Sequence, residues 1–148
     1  MVGVVSIRSI RNGGITMQDR YFFRGKRIDN GKWVEGYYYQ IWERGYILWG
    51  MTNDVPNMIE VDLSTICQCT GLKDKNGRVI WENDIVRDGH GNLYKAFWQN
   101  TYYQFSWICV KTDVFVIGMK WNLWSMRSYE IEVVGNTFDN PELLEVQE

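Results

Sequence analysis

The sequence predicts a mainly β protein: an antiparallel meander, then a small, partly open barrel, then a short C-terminal helical turn. Composition is the first reason. Eight Trp, nine Tyr and six Phe make up 16% of the chain, whereas Ala96 is its sole alanine. Aromatic and β-branched side chains suit pleated, half-buried surfaces, and Ala is the best helix former. Punctuation is the second reason. Fourteen Gly against two Pro fit many tight turns and few rigid linkers. The third is period: Tyr129-Glu130-Ile131-Glu132-Val133-Val134 alternates as a strand with one buried face does.

In chain order, residues 1–16 read as a non-native or disordered extension. Gly13-Gly14 can be encoded as a ribosome-binding site two codons before Met17, so Met17 rather than Met1 is the expected start. A strand is expected from Asp19 to Arg27, a turn at Asp29-Asn30-Gly31-Lys32, and a partner strand from Trp33 to Trp42. Glu43-Arg44-Gly45 reads as a turn, Tyr46–Trp49 as a short apolar strand, Thr52-Asn53-Asp54 as another turn, and Met58–Val61 as extended. Val61–Ile66 stays ambiguous between a local turn and a short helical one. This meander forms an N-terminal lobe over 17–66, and an aromatic meander needs a second layer to cover it.

The C-terminal lobe, 67–148, starts with the densest turn chemistry, Gln68–Arg87. Asp74-Lys75-Asn76-Gly77 reverses the chain. Asp74 accepts a hydrogen bond from the backbone two residues on, and Gly77 supplies a positive φ. The turn is either type I with a bulge or a tight hairpin centred on Asn76-Gly77. Val79–Trp81 leaves as a strand. Glu82-Asn83-Asp84 then makes a corner, since Asn and Asp tolerate left-handed conformations best among non-glycine residues. Asp88–Asn92 is a loop by composition. Strands follow at Leu93–Trp98, Tyr102–Val110, Val114–Ile117 and Tyr129–Val134, with Trp121–Arg127 undecided. Five β segments from Val79 onward suit an SH3-like barrel. Asn140-Pro141-Glu142 opens the final helical turn, with Asn140 as cap. One continuous domain over 17–148 is the alternative to two lobes.

The segment TGLKDKNGRVIWENDIV, from Thr70 to Val86, resembles the hallmark of the YopX family of bacteriophage and prophage proteins. Tyr21–Arg27 followed by Asn30–Tyr37 resembles the family's opening, and Val133–Leu144 its ending. The three blocks stand in the right order over about 17–144. Asn83 stands where the family usually has Gly, which agrees with a left-handed corner. The resemblance implies a phage or prophage setting and brings no catalytic residue with it.

The totals bound function more than they define it. A net charge of −2 argues against a bulk polyanion binder, which carries a basic excess. Cys67, Cys69 and Cys109 are odd in number. Cys67 and Cys69, two apart on a strand, cannot form an unstrained disulfide. With no secretory signal, reduced, buried thiols in the cytoplasm of a bacterial host are expected. No metal and no cofactor is expected, since only Cys109 and His90 could join a site. No apolar run is long enough to span a membrane.

Among chemistry-bearing residues, Glu82 and Asp84 point the same way on an extended chain. With His90 they define a hydrolase alternative; their simpler role is to cap turns at the surface. An EF-hand alignment on Gly77 fails at Leu72 and Asn83. Gly89 and Gly91 lack the third glycine and helix of a phosphate loop. The aromatic surplus carries more. A domain this small cannot bury eight Trp and nine Tyr completely. Trp121 and Trp124, beside Lys120 and Arg127, are the candidate exposed pair. The first expectation is a non-enzymatic protein that forms homo-oligomers or binds a phage or host protein. The alternative is a nucleic-acid-binding barrel with Lys73, Lys75, Arg78 and the aromatic strands as its face.

Overall fold

The computed structural model describes residues 5–6 and 20–145. It is 54% strand, its helical content is limited to lone 3-10 turns, and its strands form two antiparallel sheets. The chain divides into two compact units, residues 1–69 and 70–148.

In the first unit, β1 (Val5–Ser6) pairs with Met51 and Gly50. Apart from this pair, the expected N-terminal extension lies outside the described residues. The meander is β2 (Phe22–Lys26), β3 (Trp33–Ile41), β4 (Arg44–Thr52) and β5 (Val55–Val61). β3 pairs with β2 on one side and β4 on the other, and β4 pairs with β5. The meander continues further than the sequence suggested, since β4 and β5 extend beyond Tyr46–Trp49 and Met58–Val61. Asn53 and Asp54, both left-handed at φ 50° and 62°, make a two-residue turn between them, the geometry that matches strand twist. A Cβ on Gly36 would overlap the Leu48 carbonyl, so only glycine lets β3 approach β4 there.

The turn expected at Glu43-Arg44-Gly45 sits one residue earlier, at Trp42-Glu43, with Ile41 opposite Arg44. The ambiguous Val61–Ile66 becomes a 3-10 turn at Leu63–Thr65. The Asp62 carboxylate caps it by accepting from the Ser64 N–H at 2.9 Å. Among the described residues of this unit, Phe22, Ile47, Val61, Cys67 and Cys69 are buried and apolar. Cys67 and Cys69 are free thiols.

β6 (Cys67–Lys73) leads into the second unit, followed by β7 (Val79–Trp81). A five-stranded sheet follows, built from β8 (Asp84–Arg87), β9 (Leu93–Gln99), β10 (Gln104–Lys111), β11 (Lys120–Asn122) and β12 (Glu132–Asn136). Its order is β11-β10-β9-β8-β12. It stays open, with no closed barrel. The core gathers Ile80, Val86, Tyr94, Ala96, Trp107, Cys109, Ile131 and Val133. Ala96 lies opposite Trp107, and both are fully buried. The small side chain makes room for the large one, as close packing requires.

Three local expectations are corrected here. Val114–Ile117 is not a strand. The Thr112 hydroxyl accepts from the Val114 and Phe115 N–H groups at 3.0 Å each, which stops β10 from continuing. Gly118, at φ 90°, then turns the chain back, and its N–H donates to the Cys109 carbonyl at 2.8 Å. The strand expected from Tyr129 begins at Glu132, after a 3-10 turn at Ser128–Glu130. The C-terminal turn, Pro141–Leu144, is 3-10 and starts with Pro141 as expected, but Asn140 does not cap it. Its side-chain carbonyl instead accepts from the Asn136 N–H at 3.3 Å.

Candidate interaction surface

The signature segment is built around one carboxylate. Asp74 Oδ1 accepts from the N–H groups of Asn76 and Arg78, each at 2.9 Å. The Asp74 N–H donates to the Arg78 carbonyl and the Gly77 N–H to the Asp74 carbonyl. Gly77 takes φ 77°, which a side chain would resist. The second oxygen, Oδ2, accepts from the Val133 N–H at 3.0 Å. Asp74 is therefore a buried pin that fastens the turn to β12. Asn76 and Gly77 are exposed at its tip.

Of the three basic residues around this turn, one is paired with an acid. Lys73 and Arg78 are exposed. Lys75 pairs with Glu132 at 3.1 Å, and Arg87 reaches the same carboxylate at 3.3 Å. The hydrogen bonds from Lys75 and then Arg87 hold the Glu132 carboxyl below its usual range. A cation already matched by a carboxylate contributes less to neutralising a phosphate than a free one does.

The corner after β7 also serves the fold. Asn83 is left-handed at φ 67°. Its N–H donates to the Ala96 carbonyl, and its carbonyl accepts from the Thr137 N–H. Asp84 does not lie at the surface as expected: it is 1% exposed, and its Oδ2 accepts from the Trp81 N–H at 2.8 Å. Glu82 is half-buried beside it.

Asp88 repeats the plan of Asp74, a relation that composition did not reveal. Its Oδ1 accepts from the His90 and Asn92 N–H groups at 2.9 Å. Its Oδ2 accepts from Asn92 Nδ2 at 2.9 Å and the Tyr94 hydroxyl at 3.0 Å. Gly91, three residues on, takes φ 86°. The readable signal was the spacing shared by Asp74-x-x-Gly77 and Asp88-x-x-Gly91. Burial pushes the Asp88 carboxyl up, but these donors outweigh it and leave the group below its usual range. Burial first, and then the Asp88 contact, pushes the Tyr94 hydroxyl well above its usual value. His90 lines a cavity of about 570 Å³ with Ser125, Met126, Arg127 and Glu130. Asp88 holds the loop backbone that carries His90, so the carboxylate does not orient the imidazole, as a catalytic relay would need.

Apolar exposure is the distinctive feature of this unit. Val114, Phe115, Val116 and Ile117 are consecutive and 75%, 44%, 69% and 51% exposed. The expected pair divides. Trp124 is 80% exposed. Trp121 is half-buried, edge-on to Tyr94 at 5.5 Å and to Phe115 at 5.6 Å. Trp121 thus links the core to the foot of the apolar loop, a link its spacing from Trp124 did not reveal. Among the described residues, no cluster of His, Cys, Asp and Glu could hold a metal ion, and no helix is long and apolar enough to cross a membrane.

No curated protein matches this chain. The family model described as YopX protein matches residues 22–145, most of the chain. The protein therefore belongs to the YopX protein family.

Proposed function

We propose that this is a phage- or prophage-encoded protein of the bacterial cytoplasm that acts without catalysis, by binding protein and above all by associating with itself. One observation carries the reading: the run Val114–Ile117, held out in a loop by Thr112 and Gly118 and exposed along its whole length. Isolated apolar residues on a surface are ordinary, but a contiguous apolar patch marks a contact site. Aromatics are enriched at interface cores, and the Trp124 side chain follows in the same unit. Of the two carboxylates of the hydrolase alternative, Asp84 is buried and holds the corner through the Trp81 N–H. Of the basic residues of the nucleic-acid alternative, Lys75 is paired with Glu132.

Light scattering coupled to size exclusion tests the reading at low and high salt. The expected result is an oligomer of defined mass, unchanged by salt and free of nucleic acid absorbance. Val116→Asp and Ile117→Asp, both at exposed positions, should reduce that mass without altering the circular dichroism. A monomer at every concentration, or co-eluting nucleic acid that leaves at high salt, would overturn the proposal.

A further inference from the structure

The first unit carries an apolar sheet face of a different kind. Strand register sets Tyr37, Leu48 and Met58 in one row across β3, β4 and β5, with Tyr39 and Tyr46 in the next. Tyr37, Tyr39 and Met58 are 38%, 45% and 53% exposed. An antiparallel sheet with one wet face alternates apolar and polar residues, whereas strands covered on both faces read as continuous apolar runs. Tyr37-Tyr38-Tyr39 and Tyr46-Ile47-Leu48-Trp49 are runs of the second kind. The sequence is thus patterned for a sheet covered on both sides; on this side Phe22, opposite Tyr37, is buried, while Tyr39, Ile41 and Met58 stay exposed.

The adjoining turn supports the same conclusion. Trp42 is left-handed at φ 51° and Glu43 is not. Two-residue hairpins with that pattern place glycine first, and a left-handed non-glycine residue is strained by its Cβ. Trp42 is 89% exposed, so its side chain gains no burial within the chain to offset this. Gln40 Nε2 donates to the Trp42 carbonyl at 2.8 Å and holds the turn in place.

We propose that a second copy of this chain covers this face with the same face, sheet against sheet, with Trp42 at the rim of the contact. The inference rests on the self-association reading and adds a second contact to it. Charge selects the occupant. The charged pair in these rows, Arg44 and Glu60, is joined through both guanidinium nitrogens at 2.9 and 2.5 Å. These rows therefore present no net charge to a nucleic acid or an ionic ligand. A neutral apolar face suits its own copy, because a twofold contact must be self-complementary. Area agrees. With Ile41, Met51 and Trp42 included, the exposed fractions amount to on the order of 600 Å² at about 200 Å² per large side chain. A standard interface buries about 800 Å² per partner. Packed sheets are an established way to close such a layer.

The test compares the full chain carrying Tyr39→Asp, Met58→Glu or Trp42→Gly with the wild type and with Val116→Asp, by light scattering over a concentration series. Tyr39→Asp and Met58→Glu should each weaken self-association at least tenfold with circular dichroism unchanged. Trp42→Gly should weaken it while leaving the Tm of the dissociated chain equal or higher, an outcome that a purely structural tryptophan would not give. If Val116→Asp lowers the mass and none of these three does, the sheet contact is overturned and the loop reading stands. If these three lower it and Val116→Asp does not, the sheet contact stands and the loop reading falls. A wild type that is monomeric throughout overturns both, and assigns the cover to a foreign partner or to the chain's own N-terminal residues.

Discussion

Asp74 and Asp88 hold their loops by the same hydrogen bonds, but they are not equally important to the fold. Each Oδ1 accepts from the second and fourth N–H ahead, and each loop has a left-handed glycine at the third position. Asp74 is 6% exposed and also pins Val133. Asp74→Ala would strand three N–H groups, and a buried donor without a partner costs about 1–3 kcal/mol. The expected loss is about 3–5 kcal/mol in urea denaturation; a loss below about 1 kcal/mol would show that water replaces the carboxylate. Asp74→Asn, which keeps an acceptor, should lose less. The turn at Asp74 was legible because Asp and Gly have local meanings. The bond to Val133 was not, because its partner lies 59 residues away and no local preference encodes it.

Elements were legible where turn chemistry and strand pattern agree, as at Asn53-Asp54 between β4 and β5. They were misread where they disagree. Trp42 carries no turn signal, so the β3–β4 turn was placed one residue late. Val114–Ile117 was assigned to a strand because apolar β-branched residues usually occupy one; the stop comes from the Thr112 hydroxyl. The β9–β10 pair gives the sharpest packing test. Trp107 is fully buried against Ala96, and its Nε1 donates to the Leu123 carbonyl at 3.2 Å. Trp107→Ala should cost about 3–5 kcal/mol through the cavity it leaves. Ala96→Val should cost about 1–3 kcal/mol through overpacking. Chemical denaturation of both variants decides the point: an Ala96→Val protein as stable as the wild type would mean that β9 and β10 leave space between them.

At the scale of the whole molecule, charge predicts the direction of acid sensitivity. Five carboxylates are held below their usual range: Asp29 and Glu60 through hydrogen bonds from arginines, Asp62 through Ser64, Glu132 through Lys75 and Arg87, and Asp88 through its loop donors against the opposing effect of burial. A carboxyl whose folded pKa is depressed stabilises the fold fully above its unfolded value, near 4. That contribution is lost as pH falls through the folded value. The Tm should therefore be flat from about pH 7 to 5 and fall below about pH 4. Most of these groups lie at the surface, where ion pairs contribute little and salt screens them, so high salt should change the slope only slightly. Asp88→Asn should flatten part of the fall, because Asp88 owes its shift to neutral donors that salt does not screen. A Tm that rises on acidification between pH 5 and 3 would mean that carboxylates repelling one another outweigh those held by donors, which would contradict the arrangement around Asp88 and Glu132.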